Sequence, residues 1–295
     1  MPAIIENYLD TMGDDRIIDI AFFGGNFTGI QLQRMEEYLV KVYPFVESKK
    51  VNGIRLSTRP DYIDNSRLRL LKKYGVKTIE LGAQSTNDKV LRMSGRGHDA
   101  SAIQKASGLI LEHGFELGLQ MMIGLPGDTF ETSLQTAKDI VQLGASNTRI
   151  YPTLVIKGTA LEKLFKDGKY KPMLLDEAVM WTKEIMKVFE ENNVTILRIG
   201  LHPSEELTEG RSLIAGPFHA SFKEMVMTER WCEILSKEIK KNKSKNITVT
   251  VNDKQLNYAI GYKSRNKLWI NDQNINVKFK PSILLKNYEI QISNN

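Results

Sequence analysis

Cysteine is almost absent: Cys232 is the only one in 295 residues. A single thiol cannot close an internal disulfide or supply a multi-cysteine metal site. Long apolar runs are lacking too, and no window reaches the length of a membrane-spanning helix. The start, Met1-Pro2-Ala3-Ile4-Ile5-Glu6-Asn7, has no basic segment ahead of an apolar one, so no export signal is read there. Neither a G-x-G-x-x-G fingerprint nor a G-K-[ST] loop occurs. Together these absences predict a cytoplasmic chain with no membrane partner.

What is present suits a buried core. Apolar residues make up 41% of the chain, enough for one large domain and a small appendage. The net charge of +6 is unevenly placed: from Arg230 onward there are 13 Lys+Arg against 5 Asp+Glu, while the remainder is close to neutral. A clustered basic segment marks either nucleic-acid contact or a solvated surface, and composition does not separate the two.

Up to about residue 202 the pattern alternates strand and helix. Strands are predicted at Ile17–Phe23, Asn52–Ser57, Thr78–Gly82, Gly118–Gly124, Thr148–Val155 and Thr195–Leu201. Helices are predicted at Gln31–Val46, Leu68–Tyr74, Asn87–Met93, Ser101–His113, Thr132–Leu143 and Leu174–Asn192. Such alternation implies parallel pairing. An open doubly wound sheet and a (β/α) barrel both fit, and in both the ligand site lies at the C-terminal strand ends. Beyond a helix around Ser221–Ile234, the polar stretch Lys237–Asn246 reads as a linker or a helix end. Ile247–Val251, Leu268–Ile270, Val277–Phe279 and Tyr288–Ile292 read as short strands. The predicted division is 1–236 for the core and 237–295 for a small, basic, β-rich C-terminal domain.

Polar clusters sit at successive strand ends. Phe22-Phe23-Gly24-Gly25-Asn26-Phe27-Thr28-Gly29 gives backbone that can approach a ligand closely, or a plain tight turn. Ser57, Thr58, Arg59 and Asp61 end the second strand; Arg59 could hold a carboxylate, or sit in a surface ion pair while Asp61 makes a turn or cap. Glu80 lies inside an apolar strand, so facing inward it must be paired, and facing outward it would meet a helix lysine. Gln84 can donate and accept at once, which suits a ribose hydroxyl pair. Ile123 and Gly124 end a strand whose edge could line a flat base, and Tyr151 offers a stacking face after the fifth strand. The shared position of these clusters is a stronger signal than any one of them.

Taken in order, Phe-Phe-Gly-Gly-x-Phe-Thr-Gly, Ser-Thr-Arg-Pro-Asp, Glu-Leu-Gly-x-Gln-Ser, Ser-Gly-Arg-Gly-His, Ile-Gly-Leu-Pro-Gly and Arg-Ile-Tyr-Pro-Thr resemble the radical S-adenosylmethionine superfamily. The resemblance covers residues 15–225. It is strongest to the branch of the Elongator catalytic subunit and its shorter bacterial relatives, with oxygen-independent coproporphyrinogen oxidase a more distant cousin. It implies a partial (β/α)6 barrel with a small β-rich C-terminal appendage. It also implies S-adenosylmethionine bound against a 4Fe–4S cluster, reductive cleavage to a 5′-deoxyadenosyl radical, and an electron donor such as flavodoxin or ferredoxin. By the same resemblance Gly24, Gly25 and Asn26 hold the methionyl amino group. Glu80 and Gln84 lie near the ribose and methionyl moieties, Ile123 and Gly124 pack on adenine, and Ser57 and Arg59 add polar contacts.

The chain departs from this family at the cluster. The expected Cys-x-x-x-Cys-x-x-Cys loop is not among its residues, and thiolates are the usual ligands. The first predicted strand matches the family's second, so the barrel is expected to lack its first strand upstream of Met1, through a late start, a truncation or a natural clusterless remnant. No acetyl-CoA domain pattern is visible. Three readings follow: a radical enzyme of unknown substrate, tRNA among the candidates; a clusterless barrel binding RNA through its basic tail; and a metal-free hydrolase or isomerase using Glu80, His98 and His202.

Overall fold

The computed structural model describes residues 1–12, 16–203, 205–208, 210–242 and 244–294. They divide into two compact units, Met1–Thr153 with Ile185–Arg198, and Leu154–Glu184 with Ile199–Asn295.

From Asp19 onward the elements of the first unit alternate as the hydrophobic pattern predicts, and a helix that the pattern did not predict precedes them. In order they are α1 (Pro2–Leu9), β1 (Asp19–Phe22), α2 (Leu32–Glu47), β2 (Gly53–Thr58), α3 (Asn65–Lys73), β3 (Val76–Gln84), α4 (Asp88–Met93), α5 (Ala100–Glu112), β4 (Glu116–Ile123), α6 (Phe130–Gln142) and β5 (Asn147–Pro152). Next in the chain are β6 (Val155–Ile156) and α7 (Ala160–Lys166) of the second unit, then α8 (Leu175–Glu191), whose residues are divided between the two, and β7 (Thr195–Ile199). Six strands form one parallel half-barrel sheet in the order β1-β2-β3-β4-β5-β7. Helix starts are written into the sequence: Asp64, Asn87, Asp99 and Thr129 each accept a backbone N–H of the first turn. Such a cap stabilises its helix by about 1 kcal/mol. One apolar layer is made by Ile54, Leu56, Ile79, Leu81, Leu117, Leu119 and Ile150, all fully buried.

Strand periodicity sends the alternate residues of β2 to β5 to the other face of the sheet. Those residues are unusually polar: Arg55, Ser57, Glu80, Gln120 and Arg149.

The predicted strand Thr148–Val155 proves to be two. Thr153 turns both its N–H and its hydroxyl onto the carbonyl of Ile123, at 3.0 and 2.7 Å, and the strand ends there. Val155–Ile156 pairs instead, antiparallel, with β8 (Leu213–Ala215), which follows α9 (Glu205–Thr208).

The second unit continues with α10 (Phe222–Ile239), β9 (Asn246–Asn252), α11 (Leu256–Ile260), α12 (Arg265–Asn271), β10 (Asn276–Ser282) and β11 (Ile290–Asn294). Helix α10 runs past the predicted Ile234, so Lys237–Ile239 are a helix end; Lys243 lies outside the described residues. The small sheet has the order β10-β9-β11, with β10 parallel and β11 antiparallel to β9. Its buried face packs Ile247, Val249 and Val251 with Trp231 and Leu235 of α10. Leu268–Ile270, predicted as a strand, lies in α12. A three-residue apolar run carries no usable period, and here Ile270 is buried while Leu268 is 55% exposed.

Candidate functional site

Glu80 sits on the polar face of β3, 1% exposed, and every contact expected of a buried carboxylate is present. Arg55 Nε donates to Oε1 at 3.1 Å. Arg149 donates from Nε to Oε2 at 2.6 Å and from Nη2 to Oε1 at 3.1 Å. Gln120 Nε2 donates to Oε2 at 3.0 Å and also to Ser57 Oγ at 2.8 Å. Four adjacent strands are thus joined by one carboxylate, two guanidinium groups and the Gln120 amide. Burial pulls the Arg149 guanidinium down, but the hydrogen bonds and charge of Glu80 outweigh it and hold the group above its ordinary value. The same guanidinium lies 4.8 Å from the ring centre of Phe23.

Above this layer β1 ends in the glycine turn. Gly24 has φ +101°, a conformation that favours glycine, and a Cβ added at Gly24 or Gly25 would meet no atom within 4 Å. Both glycines are exposed and face a cavity of about 380 Å³ that also touches Phe22, Asn26, Tyr38 and Ser57. Phe22 and Phe27 stack at 4.6 Å between ring centres. The Asn26 side-chain oxygen is turned inward, accepting from Thr58 Oγ1 at 2.6 Å and from the Arg59 N–H at 3.3 Å. It fixes the turn to β2.

The remaining sequence-predicted residues lie outside that cavity. Arg59 spends its fork on Asp61, at 2.9 and 2.8 Å, a surface ion pair whose partner the sequence alone does not name. Gln84 has φ +67° at an irregularity in the β3–β4 register, where it pairs with Met121. Ile123 is fully buried, and the Gly124 N–H donates to Asp128 at 2.9 Å. Tyr151 is half-buried opposite Met122. His202 belongs to the second unit and is exposed.

Two groups stand out in the loop after α4: Arg96, which sequence reasoning left unassigned, and His98, which it offered only as an acid–base candidate. Arg96 is half-buried; its Nη2 reaches Met122 Sδ at 2.9 Å, and its Nε is buried without a hydrogen-bond partner. Burial, then the charge of Arg59, pull this guanidinium below its ordinary value. His98 Nε2 lies 3.2 Å from the Ala83 carbonyl oxygen, while its Nδ1 is buried and unpartnered. The available signal was a lone arginine between two glycines directly after a strand–helix step. The partners of Glu80 also had a signal: Arg55, Gln120 and Arg149 break apolar strands at the parity that Glu80 occupies.

A half-barrel with a glycine turn after its first strand and a polar layer beneath the strand tips defines a class. Two family models match: the Radical SAM superfamily over residues 2–140 and the Radical_SAM C-terminal domain over residues 146–232. The chain belongs to the radical SAM superfamily. An uncharacterised protein of Methanocaldococcus jannaschii is 33% identical over 159 residues, 52% of this chain and 48% of that protein. The tRNA uridine(34) acetyltransferase of Methanocaldococcus infernus is 27% identical over 192 residues, 57% of this chain and 36% of that one. The chain therefore spans less than half the length of these relatives. The archaeal Elp3 structure from M. infernus, with an N-terminal deletion, shares the fold: TM-score 0.68 at 23% identity, over 80% of this chain and 58% of that one.

The family implies two groups, and the residues present answer differently to each. S-adenosylmethionine fits: the exposed glycine turn leaves room for it, and Arg96 holds a buried donor with no partner. A 4Fe–4S cluster does not fit. The sequence has one cysteine, and among the described residues no group of three His, Cys, Asp or Glu side chains could hold a metal. Among the described residues no helix is long and apolar enough to cross a membrane.

Proposed function

We propose that this chain binds S-adenosylmethionine at the C-terminal ends of its strands and serves a radical enzyme acting on RNA, with tRNA as the substrate class. The observation that carries the cofactor part is the half-buried Arg96, whose Nε has no hydrogen-bond partner. A guanidinium taken out of water gains most from a carboxylate, which it can bind bidentately. The methionyl end of S-adenosylmethionine carries one.

In this reading Gly24, Gly25 and Asn26 present backbone to the methionyl amino group. Gln84 meets the ribose, the Ile123–Gly124 edge meets adenine, and Ser57 and Arg59 line the approach. Glu80 acts through Arg55, Gln120 and Arg149, which occupy its oxygens. When bound, S-adenosylmethionine supplies the family's radical chemistry. Its reductive cleavage needs an electron delivered through a cluster, from a flavodoxin- or ferredoxin-like donor, and no step of it is placed on residues of this chain. The tRNA part is supported by the M. infernus relative, whose name gives uridine 34 of tRNA as its target, and by the clustered basic charge after Arg230. A second reading, an RNA-binding module without radical chemistry, is supported by the clustered basic charge after Arg230.

Equilibrium dialysis separates the two. S-adenosylmethionine should bind, and Arg96→Met should weaken it at least about tenfold, the scale of one charge-assisted contact. Methylthioadenosine, which lacks the carboxylate, should bind both proteins alike. Equal losses for both ligands would remove Arg96 from the carboxylate, and no binding of S-adenosylmethionine would leave the second reading standing.

A further inference from the structure

Between α11 and α12 the chain turns through Gly261-Tyr262-Lys263-Ser264. Gly261 is buried with φ +90°, and a Cβ there would stand 2.9 Å from the Asn266 nitrogen and 3.0 Å from Thr228 Cγ2. Only glycine lets the turn pack this closely. Two buried side chains grip it from beneath. The Tyr262 N–H donates to Thr228 Oγ1 at 2.7 Å. Asn266 Nδ2 donates to the carbonyls of Thr228 and Ala259, at 3.0 and 3.2 Å. The Ser264 N–H closes back on the Gly261 carbonyl at 2.8 Å.

The outer side of the turn is open. Lys263 and Ser264 are exposed, and both hold left-handed backbone, φ +52° and +61°, which is unfavourable for residues with side chains. Beside them is a cavity of about 510 Å³ lined by Lys254, Tyr258 and Tyr262, with Glu224 as its acidic member. Each tyrosine ring has a lysine ammonium near it: Lys223 lies 6.0 Å from the Tyr258 ring centre and Lys263 5.5 Å from that of Tyr262.

We propose that this turn and cavity bind single-stranded RNA. Lys263 and Lys254 take successive phosphates, and the tyrosine faces take unstacked bases. The topology points the same way. β9, α11, the turn, α12 and β10 form a strand–helix–turn–helix–strand unit with its two strands parallel neighbours. One class of RNA-binding module clamps nucleotide backbone with a G-x-x-G turn. Here Ser264 stands in the last position, in the conformation a second glycine would take. Duplex RNA is disfavoured, because its bases are already stacked on each other. The choice of RNA over DNA rests on the tRNA reading above. The assay needs neither S-adenosylmethionine nor turnover, so the two can fail separately.

The test uses the full chain and a labelled single-stranded RNA of about twelve nucleotides, within the usual site size for such grooves, followed by fluorescence anisotropy. Binding should weaken as salt rises, and K263D/S264D should weaken it at least about tenfold, since the Lys263 contact becomes repulsive and a second negative charge is set beside it. Aspartate tolerates left-handed backbone, so the turn itself should survive and the melting temperature should hold. S264G should bind like the parent, and Tyr258→Leu, which keeps an apolar group against the core, should lose affinity with the melting temperature followed as its control. K278E/K280E, which reverses two exposed charges on β10, should change little. Undiminished binding by K263D/S264D, an equal loss in K278E/K280E, or equal affinity for duplex RNA or for the matching DNA strand would each overturn the proposal. So would a parent chain that binds no RNA.

Discussion

At Glu80 the cost of burying a carboxylate and the worth of its partners can be weighed directly. It is 1% exposed, while Arg55 and Arg149 keep 19% and 14% of their side-chain surface. Removing the carboxylate leaves two guanidinium groups facing each other inside the sheet, and breaking a buried pair in this way typically costs about 3–5 kcal/mol. Glu80→Ala should therefore lower the unfolding free energy read from urea titration by that scale at neutral pH. Arg55→Met combined with Glu80→Gln, which leaves a single guanidinium hydrogen-bonded to a neutral amide, should lose much less. A loss in the double variant as large as in Glu80→Ala would show that shape, not charge, governs the site. The need for a partner was legible in the sequence, since a carboxylate inside an apolar strand cannot stand alone. The partners were not: which residues of β2, β4 and β5 lie beside Glu80 is set by register, a property of the assembled sheet. Arg59 shows the reverse case, where the local Asp61 claims a fork that the sequence also offered to a ligand.

Among the elements, α3 shows how one cap ties a helix to the site. Asp64 Oδ1 accepts the Arg67 N–H at 2.9 Å, and its other oxygen pairs with the Arg67 guanidinium. Arg67 Nε in turn donates to the Thr28 carbonyl at 2.7 Å, just past the glycine turn. Exposure loss pushes the Asp64 carboxyl up, but the N–H and guanidinium of Arg67 together hold it below its ordinary value. A depressed carboxylate contributes stability that is complete above its unfolded pKa, about 4, and is lost as pH falls through the lower folded value. Asp64→Ala should cost about 1 kcal/mol near neutrality. The gap between parent and variant, followed by urea unfolding, should shrink as the solution is acidified below about pH 4. A gap that stayed constant on acidification would mean that the carboxylate charge contributes nothing to the cap. Helical spacing made α2 to α6 legible, while the caps Asp64, Asn87, Asp99 and Thr129 of the last four emerge in the structure. The α11–α12 pair was not: its helices are five and seven residues long, too short for periodicity to declare, and the run Leu268-Trp269-Ile270 suits either state.

Across the whole chain, the two groups that the family implies separate. Binding S-adenosylmethionine asks for a glycine turn, polar strand tips and a cation, all present in the first unit. Holding a cluster asks for thiolates, and the one cysteine is poorly suited to become one. Cys232 lies in α10, half-buried, and burial followed by the nearby Glu229 charge push its thiol up, which disfavours the ligating form. Anaerobic reconstitution of the 295-residue chain with iron and sulfide should therefore leave no stoichiometric cluster absorbance, and Cys232→Ser should behave identically. The same preparation should still respond to S-adenosylmethionine. At a hundred times its Kd a ligand that binds only the folded state adds about 2.7 kcal/mol, a clear rise in melting temperature. A cluster that forms at one per chain would overturn the separation. If it vanished in Cys232→Ser, α10 would hold a ligand that the fold gives no reason to expect; if it persisted, oxygen and nitrogen ligands of the chain would have to carry it.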